Sequence, residues 1–149
     1  MLTADQETRY TFLHELLRLE PVVGSLYRRT TADLTLDHQT SKVIIAAGSL
    51  IELHLYAING EESIVGQQPL HRCPNRKMAA RNPKVSQYVM SFGDGAHRCS
   101  GAYIAIQESD IFLRRILRLE GLRIEQPPTV TYNQTVKGYE LRNFIIAVD

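Results

Sequence analysis

A chain of 149 residues with 44% hydrophobic and 22% charged residues has enough apolar side chains for one core and no compositional mark of disorder. Its formal net charge of +1 offers nothing to attract nucleic acid. An uncharged stretch such as Val43 to Ile51 falls far short of the roughly 20 apolar residues that a membrane span needs, and the N-terminus lacks a basic-then-apolar signal, so the cytoplasm is the expected compartment.

Leu2 to Glu20 reads as a helix: Thr3 or Asp5 can cap it, Tyr10, Phe12, Leu13, Leu16 and Leu17 give an apolar face, and Pro21 closes it. Within it Glu15 and Arg18 lie at i and i+3, neighbours on one face. Taken alone, such a pair is a surface ion pair worth about a few tenths of a kcal/mol. Val22 to Leu36 is strand-like, through Val22, Val23, Leu26, Tyr27, Leu34 and Leu36, with interruptions at Gly24 and at the Arg28-Arg29-Thr30-Thr31 step. Asp37 to Ser41 is a polar turn before the strand Lys42 to Ile45. Ala47-Gly48 makes a second turn, and Ser49 to Tyr56 continues as strand into a short helical segment. Glu61 to Val89 is poor in apolar residues and rich in charge, which predicts a long irregular connection.

The stretch Ser91 to Gly101 reads Ser-Phe-Gly-Asp-Gly-Ala-His-Arg-Cys-Ser-Gly. Gly93, Gly95 and Gly101 let the backbone take positive φ and approach a bulky object closely, so Cys99 is presented rather than buried. Directly after it Ile104, Ile106, Ile111, Phe112, Leu113, Ile116 and Leu117 recur at helical spacing, which places Cys99 just before a helix N-terminus. Free backbone N–H groups and the helix dipole favour a thiolate there, and His97 and Arg98 add donors and positive charge. The chemistry this favours is a thiolate held for a metal.

Gly101 to Leu119 is the strongest helix, with Arg114, Arg115 and Arg118 near its C-terminal end and Gly121 as its stop. Leu122 to Glu125 is a strand, Gln126-Pro127-Pro128 a break, and Leu141 to Val148 a final strand after a turn at Gly138. The two cysteines, Cys73 and Cys99, are not expected to pair if one of them serves a metal in a reducing compartment. His71-Arg72-Cys73 repeats as His97-Arg98-Cys99, and the two tripeptides together offer a second reading, a tetrahedral zinc site. Cys73 otherwise reads as a small buried hydrophobe.

Phe92-x-x-Gly95-x-His97-x-Cys99-x-Gly101 resembles the haem-binding loop of the cytochrome P-450 family, in its bacterial soluble type. The resemblance implies that Cys99 is the axial ligand of the iron of haem b, that Phe92 packs beside the thiolate and porphyrin, and that His97 bonds a haem propionate. Gly93, Gly95, Arg98 and Gly101 would line the cofactor, and the thiolate would push electron density onto the iron. Glu15-x-x-Arg18 before Pro21 resembles the family's K helix. Pro69-x-x-Arg72-x-Pro74-x-Arg76 resembles its meander, with Arg72 where the family has an aromatic, so that Arg76 completes a structural cluster with Glu15 and Arg18. For a propionate-binding arginine after the K helix, Arg28 is the best match and Arg29 the near alternative.

The implied fold is an α+β portion of the mainly α P-450 fold. Its parts are K helix, β hairpins, K′ helix around Ala57-Ile58-Asn59, meander, cysteine loop, L helix and C-terminal hairpin, and residues 1–149 form one region without the N-terminal half and its I helix. The implied function is haem-thiolate binding in a monooxygenase that inserts one oxygen atom of O2 into a small organic substrate, with this portion inactive alone and no catalytic residue assigned within it. The implied electron donor is a ferredoxin or flavodoxin, steered by Arg72, Lys77, Arg81 and Arg98; no nucleic acid or membrane partner is expected. Two alternatives stand beside it: a stand-alone haem binder with weak peroxidase-like activity, and a zinc-held structural module.

Overall fold

The computed structural model describes residues 3–38, 41–74, 76 and 89–149. Its first helix, α1 (Gln6–Leu19), starts where Asp5 accepts the Thr8 N–H at 2.8 Å, so Asp5 rather than Thr3 is the cap. It ends with the Glu20 N–H on the Leu16 carbonyl, one residue before Pro21. The buried side chains of α1 are Arg9, Leu13, Glu15 and Arg18, whereas Tyr10, Phe12, Leu16 and Leu17 are only half-buried. Hydrophobic periodicity misplaces the buried face because three of its four members are charges, Arg9 neutralised by Asp110 of a later helix and Glu15 by its own neighbour Arg18 together with Arg76.

After Pro21, β1 (Ser25–Arg29) pairs antiparallel with β4 (Leu50–His54), and β2 (Leu34–His38) pairs with β3 (Ser41–Ile45). Arg28 and Arg29 therefore lie in a strand, and the interruption expected from Arg28 onward begins two residues later, at Thr30. At Thr30 the backbone exchanges bonds with Gly48 and Ser49, and the hydroxyl donates to the Ala46 carbonyl at 2.7 Å. The expected polar turn at Asp37 to Ser41 is narrower too, since Asp37 pairs with Lys42 and His38 with Ser41. A short helix α2 (Leu55–Asn59) follows β4 directly, and α3 (Glu62–Val65) adds one helical turn inside the stretch read as irregular. Glu61 caps that turn by accepting the Ser63 N–H.

The helix α4 (Ala102–Ile116) begins three residues after Cys99 and is shorter than the expected span to Leu119. Residues 117–121 form turns that close at Gly121. On α4 only Ile106 and Asp110 are buried; Ile104, Ile111 and Phe112 are exposed, as is Leu117 just beyond its end. The apolar residues extend around the helix, and among the described residues only the side toward α1 is covered.

The last part holds β5 (Arg123–Gln126) paired with β8 (Ile145–Ala147), and β6 (Thr129–Asn133) paired with β7 (Gly138–Arg142). The single strand expected over Leu141 to Val148 divides at Asn143, where φ is +58°. Gly138 belongs to β7 and not to the turn, and Thr129–Asn133 is a strand that its flanking prolines concealed. The β6–β7 hairpin docks on β1 through Gly24, whose N–H donates to the Val136 carbonyl at 2.8 Å. A Cβ at Gly24 would lie 1.7 Å from the Lys137 carbonyl oxygen, so only glycine permits that approach. The apolar core gathers Leu13, Leu55, Val65, Val89 and Ile106 between α1, α2 and α4. Among the described residues no helix is long and apolar enough to cross a membrane.

Candidate functional site

Cys99 stands on a loop that its own backbone closes. The Gly93 N–H bonds the Met90 carbonyl at 3.0 Å, and a short 3-10 turn over Gly95–His97 brings the Arg98 N–H to the Gly95 carbonyl at 3.2 Å. The Cys99 N–H donates to the Phe92 carbonyl at 2.8 Å. This folding requires left-handed backbone at Gly93 (φ +68°) and Gly95 (φ +60°), which glycine adopts without a Cβ penalty. At Gly93 a Cβ would also press on the His97 carbonyl at 3.1 Å, while at Gly95 it would meet nothing, because that side of the loop is open.

The loop delivers the side chains that the sequence singles out. Cys99 is a free thiol and exposed, as are His97 and Arg98; Phe92, Gly93 and Gly101 are half-buried. Gly101 is the N-cap of α4, so the sulfur sits within one turn of free helix N–H groups. Phe92 is steadied from behind by His14 of α1, the two rings meeting edge to face with centroids 6.0 Å apart. Burial holds His14 well below the usual histidine range, at about 4, so it is neutral against that ring.

Beneath the loop, Glu15 and Arg18 do not form the exposed pair that an isolated motif would suggest. Both side chains are almost wholly buried and bond at two points, 2.7 and 3.0 Å. Arg76 Nε and the Cys73 N–H each reach Glu15 Oε1 at 3.0 Å. Burial pushes the Glu15 carboxyl up, but the bonds from Arg18, Cys73 and Arg76 and the Arg18 charge together outweigh it and hold it below the usual range. Arg76 spends its remaining donors on the carbonyls of Val65, Gln67, Gln68 and His71. These bonds tie Arg76 to residues 65–71 around the cluster without the aromatic expected at Arg72.

Of the two candidate arginines on β1, Arg29 is exposed and donates to the Gly48 carbonyl at 2.6 Å. Arg28 is half-buried and, among the described residues, bonds only locally, to the Tyr27 carbonyl at 2.8 Å. Among the described residues no three His, Cys, Asp or Glu side chains converge as a metal would require, so the two His-Arg-Cys tripeptides build no shared tetrahedral site. Lys77 and Arg81, named above for partner steering, lie outside the described residues.

Three residues that pattern-reading passed over complete the frame. Arg9 of α1 and Asp110 of α4 form a buried two-point ion pair. Asn59, at the end of α2, is fully buried and bonds to both Arg18 and Met90. A charge on an otherwise apolar helical face is the only signal that could have flagged the first two, and Asn59 gives none beyond its place after Ala57-Ile58.

A family model for cytochrome P450 matches residues 10–135. The chain is 34% identical over 125 residues to the mitochondrial cholesterol side-chain cleavage enzyme of Oncorhynchus mykiss, covering 83% of this chain and 22% of that one. It is 28% identical over 127 residues to beta-dihydromenaquinone-9 omega-hydroxylase of Mycobacterium tuberculosis, covering 85% and 23%. It thus spans between a fifth and a quarter of the length of these relatives. Among solved structures, P450BioI in complex with a fatty-acid-ligated acyl carrier protein superposes with a TM-score of 0.73 at 24% identity, over 96% of this chain and 34% of the other. A thermophilic cytochrome P450 from Sulfolobus tokodaii does so with a TM-score of 0.69 at 24% identity, over 97% and 35%. The fold of this chain is therefore the corresponding part of the cytochrome P450 fold, an α+β portion as its helices and hairpins imply.

Proposed function

Because this chain belongs to the cytochrome P450 family, we propose that it holds haem b through the Cys99 thiolate and forms the cysteine-bearing part of a monooxygenase acting on a small organic substrate. The observation that carries this reading is the exposed Cys99 thiol at the head of α4, on a loop closed by the Cys99 N–H to Phe92 carbonyl bond. The residues fit a haem: one soft sulfur donor stands exposed, among the described residues no three His, Cys, Asp or Glu side chains gather into a metal cage of their own, and the loop is open at Gly95. When bound, haem supplies the one-electron and dioxygen chemistry.

The chain's own residues bind, orient and shield. Cys99 binds the iron as thiolate, held in place by the loop's backbone bonds. His97 and Arg98, exposed beside it, serve the propionates, as does Arg28, whose bond among the described residues is local where Arg29 is committed to Gly48. Phe92, braced by His14, would pack beside the thiolate and the porphyrin. Glu15, Arg18 and Arg76 hold the floor beneath the loop and take no part in chemistry. Arg72 and Arg98, both exposed, would steer a ferredoxin or flavodoxin as electron donor; if so, the rate of reduction falls as ionic strength rises.

The experiment is a haem titration of the wild type, Cys99→Ser and Cys73→Ser proteins, read as the spectrum of the reduced carbon monoxide complex. The expected result is a thiolate-type band in the wild type and Cys73→Ser and none in Cys99→Ser. Equal loss in the two variants contradicts the assignment.

A further inference from the structure

Asn59 has no exposed surface at all, the deepest burial of any polar residue described. A carboxamide is tolerated there only where its bonding capacity is used, and Asn59 bonds two different parts of the site, one through its main chain and the other through its carboxamide. Its main-chain carbonyl accepts from Arg18 Nη1 at 2.7 Å. Asn59 closes α2, so that carbonyl is a helix-terminal acceptor at the negative end of the dipole, where a guanidinium fits. Arg18 is itself fixed by Glu15 at 2.7 and 3.0 Å. On its other side, Asn59 Oδ1 accepts the Met90 N–H at 2.9 Å, and Nδ2 reaches toward Ser91 Oγ at 3.5 Å.

Met90 is the root of the cysteine loop, because its carbonyl receives the Gly93 N–H that starts the turn. The residue before it, Val89, is buried with φ at +51°. A β-branched residue takes that left-handed backbone only where its surroundings impose it. The bond from Met90 N–H to Asn59 fixes the peptide unit on the C-terminal side of that strained residue.

We propose that Asn59 is a positioning residue for the cysteine loop: it carries the placement of the Glu15–Arg18 cluster to Met90 and thereby sets where Cys99 stands at the head of α4. Its consequence for the cofactor rests on Cys99 being the haem ligand; the bond network itself does not. Removing the side-chain acceptor frees the loop root, and a misplaced root lets the loop present a sulfur that still binds but no longer holds the thiolate bond on reduction.

The test compares wild type, Asn59→Ala and Asn59→Asp, which keeps an acceptor for the Met90 N–H. Amide hydrogen exchange is measured without haem and normalised to the Ile106 amide as a reporter of global opening. In the wild type the Met90 amide is protected although it opens a loop; in Asn59→Ala it exchanges faster by about tenfold or more, the loss of one buried hydrogen bond, and in Asn59→Asp it stays protected. The same proteins are then loaded with haem, reduced and exposed to carbon monoxide. Asn59→Ala shows a smaller thiolate-type fraction at equal haem content, and Asn59→Asp restores it. An unprotected Met90 amide in the wild type, which requires no variant to fold, overturns the proposal, as does Asn59→Ala exchange or thiolate fraction equal to wild type. If the wild type takes up no haem, the haem reading falls, and the exchange result still decides the role of Asn59.

Discussion

Arg9 and Asp110, 101 positions apart, meet in a buried two-point ion pair, with Nε to Oδ1 at 2.6 Å and Nη2 to Oδ2 at 3.0 Å. Arg9 also donates to the Ala4 carbonyl at 2.6 Å, so the pair joins the start of α1 to the middle of α4, the helix that Cys99 heads. The Arg9 bond holds the Asp110 carboxyl below its ordinary range against the opposing effect of burial. Removing one partner strands the other in a dry site, whereas replacing both with apolar side chains strands neither. Arg9→Ala is therefore expected to lower the denaturation midpoint more than the double replacement Arg9→Met with Asp110→Leu. Chemical denaturation of the three proteins measures this, and a double replacement as unstable as Arg9→Ala would contradict it.

Among the described residues Glu15 is the one anion that serves Arg18, Arg76 and the Cys73 N–H. Glu15→Gln leaves two guanidinium groups short of a counter-charge in a buried cluster, at an expected cost of about 3–5 kcal/mol in unfolding free energy. Arg76→Lys keeps the charge and loses the planar fan of donors to Val65, Gln67, Gln68 and His71. Limited proteolysis is expected to cut residues 65–76 faster in Arg76→Lys than in the wild type. Equal rates would mean that the fan does not hold this segment.

His14 gives the fold a pH dependence of definite sign. Burial lowers its value from the ordinary 6.5 to about 4. As pH falls through that window the unfolded chain takes up the proton before the folded one does, so stability that is complete above pH 6.5 is lost progressively toward pH 4. The depressed carboxyls of Glu15 and Asp110 act in the same direction at lower pH. His14→Phe, which keeps an aromatic edge for Phe92, is expected to flatten the unfolding free energy between those limits. An unchanged slope in that variant would assign the dependence to other groups.

Gly24 tests how the closing hairpin is fastened. A Cβ there would meet the Lys137 carbonyl oxygen at 1.7 Å and its carbon at 2.7 Å, both backbone atoms with no side chain to yield. Gly24→Ala must therefore break the Gly24 N–H to Val136 carbonyl bond and lift the hairpin of β6 and β7 from β1. Backbone exchange rising in Thr129–Asn133 and Gly138–Arg142, with Leu13 and Ile106 still protected, is the expected pattern. No change in the hairpin would show that the approach is not tight in solution.

How much of this was legible in the sequence follows from the range of the forces involved. The Cys99 loop was readable because glycine, cysteine and a following helix are local signals, and the structure places Cys99 exposed three residues before Ala102. The joining of Arg76 to Glu15 was legible only through resemblance, since nothing in the 60 positions between them encodes the contact locally. Hydrophobic periodicity failed on α1 and α4, where Arg9 and Asp110 occupy buried positions that apolar residues should fill, because pairing at long range outweighs each residue's own preference for water. The strand Thr129–Asn133 was hidden by Pro127 and Pro128, and Asn59 by the fact that a buried carboxamide is specified by partners, Arg18 and Met90, far from it in sequence.

The most direct test of the central claim is iron K-edge X-ray absorption of the haem-loaded protein, because it reads the atom bound to iron rather than the consequences of binding. The expected result is a sulfur neighbour of iron in the wild type and in Cys73→Ser that is lost in Cys99→Ser. Iron surrounded by nitrogen and oxygen alone in the wild type, or a sulfur neighbour that survives in Cys99→Ser, would contradict the assignment of Cys99 as the ligand.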